Sequence, residues 1–376
     1  MERPGQMQKT LLTLAILSLG LGHATADTIR IGHAGPLTGP LAHIGKDGEN
    51  GARLAIEDAN AMGIMIEGEK AVFELVGEDD QADPRQATTV AQRLADQEVA
   101  GVVGHVTSSA SIPASRIYEQ NGIPVITPSA TAPKLTDQGY KTTFRVIAND
   151  LQQGEAMARH VGQVLGLKRV AIIDDRSAYG QGLADAFASK LKDYGVEVVA
   201  REFTSHTATD FSAILTKIKG STPDAVFFGG FDAQAAPMLQ QMRQLGLSGM
   251  FLGGDGVCTG QMLKLGARNL TPAVYCTQAG LPMEKMPKGA DFRARFKQRF
   301  NTDVQLYAPY SYDAAMALIE AMKAADSADS DDYLPRLRAL QHEGVTGTIA
   351  FDAKGDIRTG GITLYQYRDG RWATLD

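Results

Sequence analysis

From Thr28 onward the chain alternates short apolar runs of strand length with stretches of helical period, and this rhythm restricts the fold more than any other feature. Residues 28–34 alternate and stop at Gly35-Pro36, a strand and its turn. Residues 48–62 then place Ala52, Ala55, Ile56 and Ala59 on one face, which predicts an amphipathic helix. Strands over 72–76, 101–104 and 124–127 follow, with helices opening at Asp83-Pro84 and over 111–119. A second series begins after Arg145, with helices over 152–165, 178–194, 211–218 and 233–245. Strands over 169–174, 197–203, 224–228 and 250–252 lie between and after them.

Continuous apolar runs such as VAIID and AVFFGG suit strands buried on both faces of a parallel sheet. Repeated β-α-β units imply open parallel sheets with helices on both faces, an α/β protein. A single sheet of ten or more strands is unusual, so two sheets are expected, with the break near 144–150. After Thr277 the rhythm turns to helices over 290–300, 309–325 and 332–341. Strand-like pieces over 348–351 and 362–367 close the chain, the latter at an Asp369-Gly370 turn signal.

Composition narrows the function. Of 376 residues 44% are hydrophobic and 21% charged, with net charge −6, so no basic stripe for nucleic acid is present. Two cysteines exclude a four-cysteine zinc site and a disulfide-dense scaffold. Arg3 and Lys9 precede an apolar run over 11–21 and the sequence Ala24-Thr25-Ala26, the pattern of a cleaved export leader (1–26) that leaves Asp27 first. Met7 is an alternative start. The run is shorter than the roughly 20 residues a membrane span needs, and no lipidation cysteine follows it, so free release is expected.

Sequence signatures of catalysis are missing: no HExxH, GxSxG, Walker-type loop or CxxC occurs. Asp79-Asp80 and Asp174-Asp175 stand at strand ends, where Asp more often serves turns and caps than chemistry. Cys258 and Cys276 lie 18 apart in an exported chain, and a disulfide stapling a loop to the next strand is expected over two buried thiols.

Ligands of open α/β sheets sit beyond the carboxyl ends of strands. Here those ends carry Thr107-Ser108-Ser109 and Ser129-Ala130-Thr131. Hydroxyls and free N–H groups at the start of a helix form an anion site without a basic side chain; plain helix capping is the competing explanation. Asp255, flanked by Gly254 and Gly256, offers a carboxylate for an ammonium, or a simple turn.

The segments IGHAGPLTGPLAHIGKDGENGARLAIEDAN, EDDQADPRQA, GHVTSSASIPASRIY, ITPSATAPKLT, DDRSAYGQGLADAF, FFGGFDAQA and FDAKGDI closely resemble the leucine/isoleucine/valine-binding proteins of bacterial ABC transporters, in order along the chain. The resemblance implies a type I periplasmic binding protein: two Rossmann-like lobes, 27–148 plus 279–353 and 149–278 plus 354–376. Three crossovers near Asn149, Gln278 and Lys354 would join them and act as hinges for closure on an amino acid. It assigns Ser108 and Thr131 to the ligand carboxylate, the Ser129–Ala130 loop and Asp255 to its ammonium, and Tyr179 and Phe231 to closure from the second lobe. Ile44 falls in the loop that shapes the side-chain pocket. Departures from the family pattern are Asp255 for a Glu, Phe231 for a Tyr, Ile44 for an aromatic residue, and Ala82 and Thr107 where a first-lobe disulfide stands. The implied protein is a periplasmic monomer without cofactor, delivering a branched-chain amino acid to a membrane permease. A ligand sensor, a binder of a small amide, γ-amino acid or aromatic acid, and a secreted α/β enzyme are the alternatives.

Overall fold

The apolar runs assemble into two sheets. In the computed structural model, which describes Met1 and residues 28–375, the first sheet runs Val72–Asp79, Thr28–Gly35, Gly101–Gly104, Val125–Thr127, Thr143–Arg145, all parallel. The second runs Arg371–Leu375, Thr363–Arg368, Val274–Gln278, Met250–Gly253, Ala225–Gly229, Arg169–Asp174, Glu197–Phe203. Its last five strands in that order are parallel, whereas Thr363–Arg368 and Arg371–Leu375 form an antiparallel hairpin. Positive φ at Asp369 and Gly370 makes that turn. The export leader and its cleavage site lie outside the described residues.

Burial explains why these runs are strands. Val170, Ala171, Ile172 and Ile173 are fully buried, as are Ala225, Val226 and Phe228, because helices cover both faces of the sheet. On the first sheet, Ala42–Met62 packs against the long helix Ala308–Ala325, so residues after Gln278 return to the first lobe. The chain crosses between sheets after Arg145, after Gln278 and before Thr363. The first and third passages are tied by Gln152 Nε2 donating to the Gly360 carbonyl (3.2 Å).

Several bounds differ from the sequence reading. The first helix begins at Ala42 rather than 48, and takes in Gly45 and Gly48, both buried at close contacts. A Cβ on Gly45 would stand 1.9 Å from the Pro36 carbonyl oxygen, so the turn before the helix needs glycine there. The piece over 348–351 shrinks to Thr348–Ile349, paired with His342–Glu343. Cys258 and Cys276 form a disulfide, Sγ–Sγ 2.02 Å, joining the loop after Met250–Gly253 to the neighbouring strand. Among the described residues no helix is long and apolar enough to cross a membrane.

Candidate ligand-binding site

The hydroxyl-bearing loops of the first lobe are bound to each other. Ser108 opens the helix Ser108–Gln120, yet its hydroxyl does not cap that helix; it accepts the Ala132 N–H from the next loop (3.2 Å). Thr127 Oγ1 donates to the His105 carbonyl (2.8 Å) and accepts from the N–H groups of Ser129 (3.3 Å) and Ala130 (2.9 Å). Ser129 Oγ donates to the Val106 carbonyl (2.7 Å). Thr131 is fully buried and its hydroxyl has no partner. Buried polar groups are nearly always satisfied, so an orphan hydroxyl in a cleft marks a place for a ligand or water.

Arg145 fixes this loop from behind. Its fully buried guanidinium donates to the carbonyls of Ala130 (3.0 Å) and Ala132 (2.9 Å) and to Thr136 Oγ1 (3.0 Å). It also pairs with Asp356 Oδ1 (2.6 Å), on the segment that leads to the third crossover. The Ala130 carbonyl is thereby committed. No spacing in the sequence signals Arg145, because its partners lie up to 211 residues away.

From the second lobe, Asp255 follows the strand Met250–Gly253 and is buried. Oδ1 accepts from Tyr179 Oη (2.7 Å) and Gln153 Nε2 (3.0 Å), and Oδ2 accepts from Tyr307 Oη (2.8 Å). The Gly256 N–H donates to Tyr179 Oη (2.9 Å). A Cβ on Gly254 would stand 2.6 Å from that oxygen, so glycine there admits the tyrosine. Burial raises the Asp255 carboxyl above its ordinary pKa, against the pull of the three donors. Burial and then the nearby Asp255 carboxylate raise both tyrosines well above 10, so they remain donors. Phe231 is half-buried, its ring 5.0 Å from Tyr179, and packs against the cores of both lobes.

The lobes touch across this cleft. Tyr307 belongs to the first lobe, where Asp47 accepts the N–H groups of residues 305–308 and so sets the start of the helix that follows. His43 Nε2 lies 3.0 Å from Asp232 Oδ2, and Ser109 Oγ accepts the Ala178 N–H (3.0 Å). A cavity of about 380 Å³ opens beside Asp255 and Tyr307, lined by Ile147, Leu281, Met283 and Leu306. Of the ligand-binding residues expected from the sequence Asp255 borders it, together with Gln278 of the second crossover. Ile44 does not: it lies in the first turn of the helix Ala42–Met62, buried in the first-lobe core, rather than in a loop.

The acidic pairs at strand ends serve the fold. Asp79 accepts from the N–H groups of Leu37 and Gln81, and Asp80 pairs with buried His105 (2.7 Å). Asp174 pairs with Arg201 (2.9 Å), and Asp175 accepts from Ser177. Among the described residues no group of three or more His, Cys, Asp or Glu could hold a metal ion.

The periplasmic binding protein family model matches residues 28–371. An amino acid binding protein of Pseudomonas aeruginosa is 38% identical over 366 residues, covering 96% of each chain. A leucine-, isoleucine-, valine-, threonine-, and alanine-binding protein of the same organism is 34% identical over 96% of each. The crystal structure of the leucine binding protein LivK from Thermotoga maritima superposes with a TM-score of 0.85 at 28% identity, covering 93% of this chain and 98% of that one. With nearly the whole described chain matched, and two parallel-sheet lobes meeting at a buried polar cleft, this protein belongs to the periplasmic binding protein family.

Proposed function

We propose that the protein captures a free α-amino acid, branched-chain aliphatic in first preference, between its lobes and delivers it to the membrane permease of an ABC transporter from the periplasm, after removal of the export leader. The relatives' names support that class. The observation that carries it is the setting of Asp255: a buried carboxyl held by three neutral donors, with no cation bonded to it among the described residues. A buried ion without a counter-ion is costly, and a ligand ammonium supplies the missing charge. Ser108 and the orphan Thr131 hydroxyl then receive the ligand's carboxylate, and the Ser129–Ala130 loop joins Asp255 at its ammonium. Tyr179, Phe231 and Asp255 come from the second lobe, so their contacts favour the closed arrangement, with hinges near Asn149, Gln278 and Lys354 between lobes 27–148 plus 279–353 and 149–278 plus 354–376.

The test is a thermal-shift screen of refolded, ligand-free protein against the twenty amino acids, small amides, γ-aminobutyrate and benzoate. Bound ligand raises the melting temperature by mass action. Leucine, isoleucine or valine should give the largest shift. A largest shift with benzoate or an amide would contradict the proposal.

A further inference from the structure

We infer that Asp150 is a second carboxyl of the ammonium site, wired to Asp255 through Gln153, and that capture of the ammonium drives one proton from this pair into solvent. The inference rests on the amino-acid reading above and specifies its charge chemistry. Gln153 Nε2 donates to Asp150 Oδ1 (3.1 Å) and to Asp255 Oδ1 (3.0 Å), while its Oε1 accepts from Thr277 Oγ1 (2.8 Å). One amide therefore spans two buried carboxyls and the strand that leads to the second crossover. Asp150 is fully buried and its Oδ2 makes no well-formed hydrogen bond, although the Thr131 hydroxyl lies close enough to its carboxyl to favour the ionised form.

Among the described residues no uncommitted cation faces the pair, and Arg293, which lines the cavity beside Asp255, is paired with Glu284 (3.3 Å). Arg145 is near, but its guanidinium is occupied by Asp356, Thr136 and the Ala130 and Ala132 carbonyls. Tyr179 and Tyr307 face the pair as neutral donors. Asp232, also close to Tyr307, is held by His43 and Thr259. From the helix Ala178–Leu191, Gly182 packs toward Asp150 Oδ2 and contributes no charge. Two carboxylates in one dry site cannot both ionise readily. Burial and then the Asp255 charge push Asp150 up to about 8, and burial raises Asp255 as well, so the pair retains a proton at neutral pH. An arriving ammonium reverses the local charge: the Asp150 O–H bond breaks, its proton passes to buffer, and the ligand keeps its three N–H bonds.

Calorimetry of wild-type protein with L-leucine at pH 7, in phosphate, HEPES and Tris, reads the proton directly through the buffers' ionisation heats. We expect release of about half a proton or more per ligand. Affinity should rise with pH between 6 and 8, by up to about tenfold per pH unit. Asp150→Asn should bind without buffer-dependent heat. Binding with no proton release by the wild type, or unchanged release by the variant, overturns this inference and leaves the amino-acid reading standing. Failure of every amino acid in the thermal-shift screen overturns both.

Discussion

Asp255 concentrates the binding argument in one side chain. Three uncharged donors hold it in a buried position, and in the proposed function a ligand's ammonium supplies its counter-charge. Asp255→Ala should weaken amino-acid binding at least tenfold, in line with roughly 1.5–3 kcal/mol for a charge-assisted hydrogen bond; unchanged affinity in calorimetry would refute its role. His33 carries a different prediction. Both its ring nitrogens are buried without partners, and burial pushes its pKa down to about 3. The unfolded chain takes up this proton first as pH falls below 6.5, so the native state loses stability from 6.5 downward toward 3. Neighbouring Asp80 opposes the shift, while His105 and Arg53 reinforce it. Relative to His33→Leu, the wild type should lose about 2 kcal/mol between pH 8 and pH 5 in urea titrations. Equal losses would show that His33 is hydrated. Asp255 and Thr131 were legible in the sequence because each follows a strand end, one between glycines and one in a hydroxyl cluster. Gln153, Tyr307 and Arg145 were not, since the partners that tie them to the site or to the third crossover lie 52 to 211 residues away.

At the scale of elements, the loop after Val125–Thr127 is held by a cation, Arg145, in addition to the turn that Thr127 makes with Ser129 and Ala130. Arg145→Ala removes one member of a buried ion pair and strands two carbonyls, a change worth about 3–5 kcal/mol. The variant should melt well below wild type, and at temperatures where it remains folded it should bind more weakly. A melting temperature and affinity equal to wild type would mean the loop is rigid without Arg145. Strand positions were readable because both-face burial leaves uninterrupted apolar runs such as 170–173. The start of the first helix was hidden, because a glycine kept for close packing at Gly45 has the same appearance as a helix breaker. The antiparallel hairpin at the end was visible as strand and turn, but its membership of the second sheet depends on pairing with Val274–Gln278, which no local pattern records.

For the molecule as a whole, the side-chain hydrogen bonds described between the lobes across the cleft are His43 with Asp232, Ser109 with Ala178 and Tyr307 with Asp255, beside the packing of Phe231 against both cores. Such a small set is suited to an equilibrium that ligand can shift, because the closed form gains only modest energy when empty. His43→Ala removes one closed-state contact; at the 0.5–1.5 kcal/mol of a typical hydrogen bond this should weaken binding about 2- to 12-fold. Small-angle scattering of the variant at saturating ligand should still report the compact form, and failure to compact would make His43 essential to closure. The two-lobe architecture was legible from rhythm and break, but the tying of crossovers by Gln152 and Gln153 belongs to tertiary structure alone.

The most direct measurement compares L-leucine with its two half-molecules, 4-methylpentanoate, which lacks the ammonium, and isopentylamine, which lacks the carboxylate, by calorimetry on refolded protein. The account predicts that leucine binds and that each half-molecule binds at least a hundredfold more weakly, since each leaves one end of the cleft unanswered. Binding of either half-molecule as tightly as leucine would contradict it.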